Sequence, residues 1–445
     1  MFTNRDGGFS GGDFQSPLMI SASVSIPPNT MNQRDSNSLF SARFFALSVL
    51  CLLLPSFCPA AEISLRSDFE GGMLGPVKQI SEAHFLCSVP GQADQDGRNR
   101  QPSWYSFSVN EAKGREVKVT LTDLRGEYNY KPGGVSINEA SPPVVSADGI
   151  NWHHLTTMTF DKSNDQASFT LIPESDHVMV AHIEPYTASR VNQLLAEIRG
   201  HPDLKDEVIG KSVEGRDLHL LTISRPAVNH SGKPVIWLMC RQHAWESGTS
   251  FVGEGAIKFL LSDEGKAFRD RVVFKIFPML DPDGCADGGV RFNRNGYDLN
   301  RNWDTADPSN LESRRLMPEI CAAKKAMIDF GRMDFFLTLH NQERDEWLSR
   351  SVNHGELSDR FFAMLVKETS FNPGAKGPTP STNKVAASRY SVYEFLDIQL
   401  NKPAFLMEQG IASSSKLGHL PTSKDRIEFG RQLARVMCAL VLEKP

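Results

Sequence analysis

Five apolar-rich runs, at 218–223, 235–239, 272–277, 335–339 and 404–407, limit what this chain can fold into more than any other feature. A strand with one wetted face alternates apolar and polar residues, so runs that are apolar at most positions are covered on both faces. Helical stretches separate several of them, and the stretch at 188–198 brings Val191, Leu194, Leu195 and Ile198 to one side. The expectation is an α/β unit whose mixed, mostly parallel sheet is flanked by helices.

Upstream, between residues 62 and 183, the period changes to two. Segments 104–109 and 117–121 alternate, and 168–172 and 178–181 continue the series. Lys131-Pro132-Gly133-Gly134 and Ser141-Pro142-Pro143 read as turns between such strands. The pattern predicts an antiparallel β-sandwich domain over 62–185, joined at Glu184-Pro185-Tyr186 to the α/β unit over 186–445.

Residues 1–61 read as a leader. Arg43 precedes a run from Phe44 to Leu54 that is apolar except at Ser48, and Pro59-Ala60-Ala61 offers a small-residue cleavage site. The run is well short of the roughly 20 residues of a spanning helix. The layout therefore predicts a signal peptide, no stable membrane span, and export to the periplasm or the exterior. Two of the seven cysteines, Cys51 and Cys58, fall in this leader, and the remaining five are scattered with no C-x-x-C pair. They predict buried thiols, with no disulfide framework and no cysteine metal site. A net charge of -5 supplies no basic field for phosphates, so a nucleic-acid partner is not expected.

The chemistry gathers where the apolar runs end. The run 235–239 leads into Cys240-Arg241-Gln242-His243-Ala244-Trp245-Glu246, which sets an imidazole and a carboxylate three residues apart at a strand's carboxyl end. Open α/β sheets build their sites there, and such a pair can share one zinc ion if a third ligand arrives. The run 335–339 ends at His340, at the same rim. Between them, Arg291 and the segment Gly296-Tyr297-Asp298-Leu299-Asn300-Arg301-Asn302-Trp303 carry guanidinium groups. A guanidinium is a planar fork suited to a carboxylate, and a second one can face an oxyanion on a scissile carbonyl. The run 404–407 ends at Glu408, a carboxylate that can take a proton from a water and return it to a leaving amine.

At these residues the chain resembles the zinc carboxypeptidase family of the pancreatic type, and in particular its cytosolic carboxypeptidase-like branch, which carries a β-sandwich before the catalytic domain. The likeness runs from about Asp68 to Val441 and includes Gly210-Lys211-Ser212-Val213-Glu214-Gly215-Arg216 and the junction at Glu184-Pro185-Tyr186. The resemblance implies one Zn2+ held by His243, Glu246 and His340, with Glu408 as general base and acid and Arg291 polarising the scissile carbonyl. It implies that Asn300 and Arg301 grip the terminal carboxylate of a peptide or protein C-terminus. Either Tyr390 or Tyr393 matches the family's mobile tyrosine, and Arg389 is placed to read an acidic side chain or to remain a surface arginine. The chain departs from the family's pattern at Trp245, where pancreatic members have Arg and the branch has Gly, and at Asp281, where Asn is customary.

The implied activity is removal of C-terminal amino acids by attack of a promoted water. A zinc amide hydrolase acting on small N-acyl amino acids or cell-wall peptides is the alternative within enzymes. A peptide-binding member that has lost turnover is the alternative outside them.

Overall fold

The computed structural model describes residues 62–226, 232–374, 376–381, 384–412 and 416–443. The expected leader, with Cys51 and Cys58, lies outside the described residues.

Two five-stranded sheets face each other in the N-terminal part, one built around Ser106–Asn110 and His177–Ala181, the other around Val117–Thr122 and Gln166–Leu171. Phe107, Val109, Val119, Leu121, Phe169 and Val180 fill the space between them. Alternation decides which side chains enter: Gln166–Leu171 buries Ala167, Phe169 and Leu171 and turns the residues between them outward. One pairing departs from the expected antiparallel sandwich, because His84–Ser88 runs parallel to Val117–Thr122. Lys131–Val135 is also not a turn. It is the edge strand of a smaller four-stranded sheet, where a proline costs no ladder bond, and the turn falls at Asn129 and Tyr130, both in the left-handed region.

Eight strands make the second sheet, in the order Leu204–Lys211, Asp217–Ile223, Val273–Phe277, Val235–Met239, Phe335–Gln342, Ala404–Gly410, Trp347–Arg350, Thr379–Pro380. The central four strands are mutually parallel and antiparallel strands flank them, so the sheet is mixed. Each central strand feeds both faces. Ile236, Leu238, Phe335, Leu337 and Leu339 join one apolar cluster, with helices Ser247–Leu261 and Ser423–Leu442, while Val235, Trp237, Met239 and Phe336 join another with helix Pro318–Phe330. That double burial is the reason the five runs lack alternation. Helices Ser247–Leu261 and Ser423–Leu442 touch backbone to backbone, and a Cβ on Gly255 would lie 2.0 Å from the Ile427 carbonyl oxygen. Only a residue without a Cβ fits that crossing.

A small fourth cluster joins the two parts. Trp104 and Ile183 come from the N-terminal side, Trp245 from the loop after Val235–Met239, Val290 from the residue before Arg291, and Ile411 from just beyond Ala404–Gly410. His182 stacks on the indole of Trp245, with ring centroids 6.1 Å apart and planes 17° apart. Covering an aromatic side chain removes about 150–250 Å² from water, or about 4–6 kcal/mol at 25 cal/mol per Å² as an upper figure.

Candidate metal centre and cleft

The loop that follows Val235–Met239 is held by its own arginine. Arg241 sits at φ +59°, in the left-handed region, with its guanidinium buried. Its Nε and Nη2 donate to the Ala244 carbonyl at 2.8 and 2.6 Å, and Nη1 donates to Ser250 Oγ at 3.2 Å. A strained backbone persists where the surroundings over-determine it. Here it turns His243 and Glu246 the same way, and Glu246 becomes the N-cap position of helix Ser247–Leu261.

His340 and Glu408 lie inside their strands rather than at the ends. The parallel ladder between Phe335–Gln342 and Ala404–Gly410 runs on through His340 opposite Glu408 and Asn341 opposite Gln409. Backbone pairing is indifferent to side-chain polarity, so the strands outlast their apolar runs. Register sets His340 and Glu408 side by side.

Ligand atoms of His243, Glu246 and His340 all lie within 4.8 Å of one another, and all three residues are buried. His243 Nδ1 is 2.7 Å from Glu246 Oε1, and His340 Nδ1 is 2.9 Å from Glu246 Oε2. Despite that separation, His340 Nδ1 and Glu246 Oε2 lack hydrogen-bond alignment with each other or with any other group among the described residues, and both are sealed from solvent. Buried polar atoms are nearly always satisfied. A pair that approaches without aligning suits two ligands aimed at a common third point, and two imidazoles with one carboxylate are a zinc donor set.

The outer nitrogens are held by their own partners. His243 Nε2 lies 3.1 Å from Asp298 Oδ1, and His340 Nε2 lies 3.2 Å from Gln242 Oε1, whose amide donates in turn to the Leu299 carbonyl at 2.6 Å. With a metal bound, a proton on each Nε2 would leave Nδ1 as the lone-pair atom, the tautomer a metal requires; without one, the Glu246 carboxylate can only accept from His243 Nδ1. Asp298 and Gln242 lie beside the expected site residues, but the sequence alone gives neither a role. A carboxylate two residues before Asn300-Arg301 was the available signal.

Burial disfavours charge on Glu246, yet the two imidazoles outweigh it and hold its carboxyl below the usual range. Glu408 goes the other way. Burial first, and the Glu246 charge second, push it well above an ordinary carboxylate, with Arg291 and Arg301 opposing. Its Oε2 is sealed and has no hydrogen-bond partner among the described residues.

Two cavities meet at this point. One of about 430 Å³ is lined by His243, Arg291, Asn300, Arg301, His340, Lys384, Arg389, Tyr393 and Glu408. The other, of about 710 Å³, shares Arg291, Trp347 and Glu408, and its far wall is the N-terminal hairpin around Tyr128, Gly133 and Gly134. Arg291 donates from Nε to Asp298 Oδ2 at 2.7 Å, and Arg301 Nη1 donates to the Asn300 carbonyl at 2.7 Å. Asn300 is buried, its Oδ1 accepting from the Val392 amide at 3.1 Å. Of the two tyrosines, Tyr393 lines the smaller cavity, while Tyr390 packs on the apolar cluster containing Trp303 and Val392. Arg389 is exposed at the rim, 3.5 Å from the Tyr128 hydroxyl.

Asp281, the residue that departs from the customary Asn, is wholly buried at the N-cap of helix Pro282–Asp287. Its Oδ1 accepts from the Gly284 amide at 2.9 Å, and its Oδ2 has no hydrogen-bond partner among the described residues. Burial, with the nearby charges of Glu319 and Asp283, pushes its carboxyl up to about 8. A folded pKa above the unfolded value means that the folded state binds the extra proton. Asp281 therefore costs nothing below about pH 4 and erodes stability as pH rises through about 8. Asp281→Asn is expected to flatten the pH dependence of the unfolding free energy in that window, by up to about 1.4 kcal/mol per pH unit. Urea titrations from pH 4 to 8 check this, and equal slopes for the two proteins would refute it.

Residues 191–348 match the family described as zinc carboxypeptidase, and residues 65–183 match the cytosolic carboxypeptidase N-terminal domain. Cytosolic carboxypeptidase 6 of Homo sapiens is 32% identical over 294 residues, covering 61% of this chain and 56% of that protein. Cytosolic carboxypeptidase 6 of Caenorhabditis elegans is 30% identical over 317 residues, covering 66% of each. The chain thus spans about half to two thirds of the length of these curated relatives. A crystal structure of a metallo-carboxypeptidase from Burkholderia cenocepacia superposes with a TM-score of 0.72 at 22% identity, covering 85% of this chain and 99% of that one, which establishes the shared fold.

These matches correct one expectation. The relatives are named cytosolic carboxypeptidases and the N-terminal domain is of the cytosolic type, so the export inferred from residues 1–61 is not retained. A short apolar run behind an arginine is a local pattern with no unique cause, and it was outweighed by similarity spread over both domains. Among the described residues, no helix is long and apolar enough to cross a membrane.

Proposed function

The chain belongs to the zinc carboxypeptidase family, with the cytosolic carboxypeptidase N-terminal domain ahead of its catalytic part, and from that premise we propose that it removes single amino acids from the C-termini of peptides or proteins. The observation that carries the reading is the buried His243, Glu246 and His340 set, with its unaligned pair of atoms, opening on a cavity that also holds Asn300, Arg301 and Glu408. Zinc bound there supplies a Lewis acid for the scissile carbonyl and lowers the pKa of water at the site.

The chain's own groups supply the rest. Asn300 and Arg301 hold the substrate's terminal carboxylate, and that grip makes the activity an exopeptidase, because only a chain end satisfies it. Glu408 takes the proton of the attacking water and passes it to the departing amine. Arg291 faces the oxygen of the scissile carbonyl as negative charge grows on it. Tyr393, on the wall of the smaller cavity, covers the terminal residue, and Arg389 and Lys384, which share that cavity with Glu394, supply two cations suited to an acidic side chain. The larger cavity, on the other side of Glu408, has room for the upstream peptide. A small N-acyl amino acid would leave that space unused, which favours peptides over the amide-hydrolase alternative.

Purified protein should contain about one zinc per chain and release C-terminal residues from a peptide library, losing activity to a chelator and regaining it with added Zn2+. Peptides ending in Glu should be cut faster than peptides ending in Lys. Release of acyl groups from small amides with no action on peptides would overturn the reading, and so would tight peptide binding by the zinc-loaded protein without hydrolysis.

A further inference from the structure

We propose that Gln92, in the N-terminal domain, is a positioning residue for Arg291, so that the domain in front contributes directly to the geometry of the reaction. The inference rests on the reading of Arg291 given above. Gln92 belongs to the two-residue strand Gln92–Ala93 of the small four-stranded sheet, roughly 200 residues from the loop it meets. Its Oε1 accepts from three successive backbone amides, those of Val290 at 3.0 Å, Arg291 at 2.7 Å and Phe292 at 2.8 Å. Its Nε2 donates to the Phe292 carbonyl at 2.6 Å.

Three consecutive N–H groups converging on one point form a concavity of the kind that binds anions. Here a neutral side-chain carbonyl fills it. Four hydrogen bonds from one side chain thus hold the backbone on both sides of the Arg291 Cα. The Val290 carbonyl, facing the other way, accepts from the Trp245 amide at 3.0 Å, so the same peptide is pinned to the metal-ligand loop. Further along, the Gln95 amide donates to the Gly296 carbonyl at 3.1 Å. Gly296 sits at φ +83°, and a Cβ there would come within 2.4 Å of Gln95 N.

The side chain of Arg291 then runs to Asp298 Oδ2 at 2.7 Å, and Asp298 Oδ1 lies 3.1 Å from His243 Nε2. Gln92, Arg291, Asp298 and His243 form one connected path from the N-terminal domain to the metal-ligand set. A guanidinium stabilises a developing charge only when it is already in place, and a shift of about 1 Å costs on the order of 10²-fold in rate. Removing Gln92 takes the acceptor from three part-buried amides, and the loop must move to recover water or another partner.

The test compares the full chain with Gln92→Ala, Arg291→Ala and the double variant, each zinc-loaded, on one peptide substrate. Gln92→Ala should lower kcat by about 10- to 100-fold while KM stays within about threefold, and in the Arg291→Ala background it should cost less than about twofold more. Amide hydrogen exchange needs neither turnover nor zinc. At Val290, Arg291 and Phe292 exchange should speed at least about tenfold in Gln92→Ala, with the strand Val235–Met239 unchanged. Unchanged kcat, additive losses in the double variant, unchanged exchange at 290–292, or faster exchange across the whole sheet would each overturn the assignment. If the unsubstituted protein cuts no peptide, the proposed function fails, and the exchange arm still decides whether Gln92 holds the loop.

Discussion

Glu408→Gln is expected to lower kcat for release of a C-terminal residue by about 10³-fold or more, with zinc content and KM close to those of the unsubstituted protein. A carboxamide keeps the shape of the side chain and cannot take up a proton. Positioned acid–base groups contribute about 10²- to 10⁴-fold, and this residue is asked to act twice, first on the water and then on the leaving amine. Its surroundings suit the task. Glu408 stands opposite His340 on the neighbouring strand, with Oε2 sealed and without a hydrogen-bond partner among the described residues, and burial raises its affinity for a proton. A loss confined to kcat marks an interaction made in the chemical step, whereas a loss confined to KM would assign Glu408 to binding. Activity unchanged in Glu408→Gln would remove the mechanism altogether.

The second large effect is expected on the metal itself. His243→Ala and Glu246→Gln should each weaken Zn2+ binding by more than about 100-fold, because even a lost outer partner of a metal ligand costs about 10- to 100-fold. Glu246 is the more informative substitution. Its two oxygens face the two imidazoles at 2.7 and 2.9 Å, so an amide introduces one donor where two acceptors stood. Thermal unfolding provides a check independent of turnover. Zinc in excess should raise the midpoint of the unsubstituted protein through mass action and leave Glu246→Gln almost unmoved. Equal zinc-induced shifts in the two proteins would mean that the ion binds elsewhere.

The sequence was most legible where a signal is local. The strand at 235–239 and the helix at 188–198 were read with the bounds the structure has, because uniform apolarity and a four-residue stripe are written into consecutive positions. His243, Glu246 and His340 were read as one set, and the fold brings their ligand atoms together. Less was visible where a contact is long-range. The pairing that carries two strands past His340 and Glu408 depends on a partner about 70 residues away, so both residues read as strand ends. The segment at 131–135 has the composition of a turn, and only its place at a sheet edge permits it to be a strand. Tyr390 and Tyr393 are not told apart by sequence, since Tyr393 lies in the short helix Val392–Glu394 and Tyr390 in the loop before its N-cap Ser391, a boundary that decides their different surroundings. Asp298, Gln242 and Gln92 act by side-chain bonds to distant groups, and such bonds leave no periodic trace.

The small apolar cluster between the two parts bears on how such a protein can change over generations. Trp104 and Ile183 meet Trp245, Val290 and Ile411, each of the last three lying within three residues of a side chain assigned to the chemistry. A recombination event that exchanged the sandwich for another lineage's would bring an unmatched surface against all three loops at once. The two halves are therefore expected to tolerate exchange only as a matched pair. Where a relative carries Gly in place of Trp245, its sandwich is expected to carry a larger or shifted side chain opposite, since a vacancy there would loosen the metal loop.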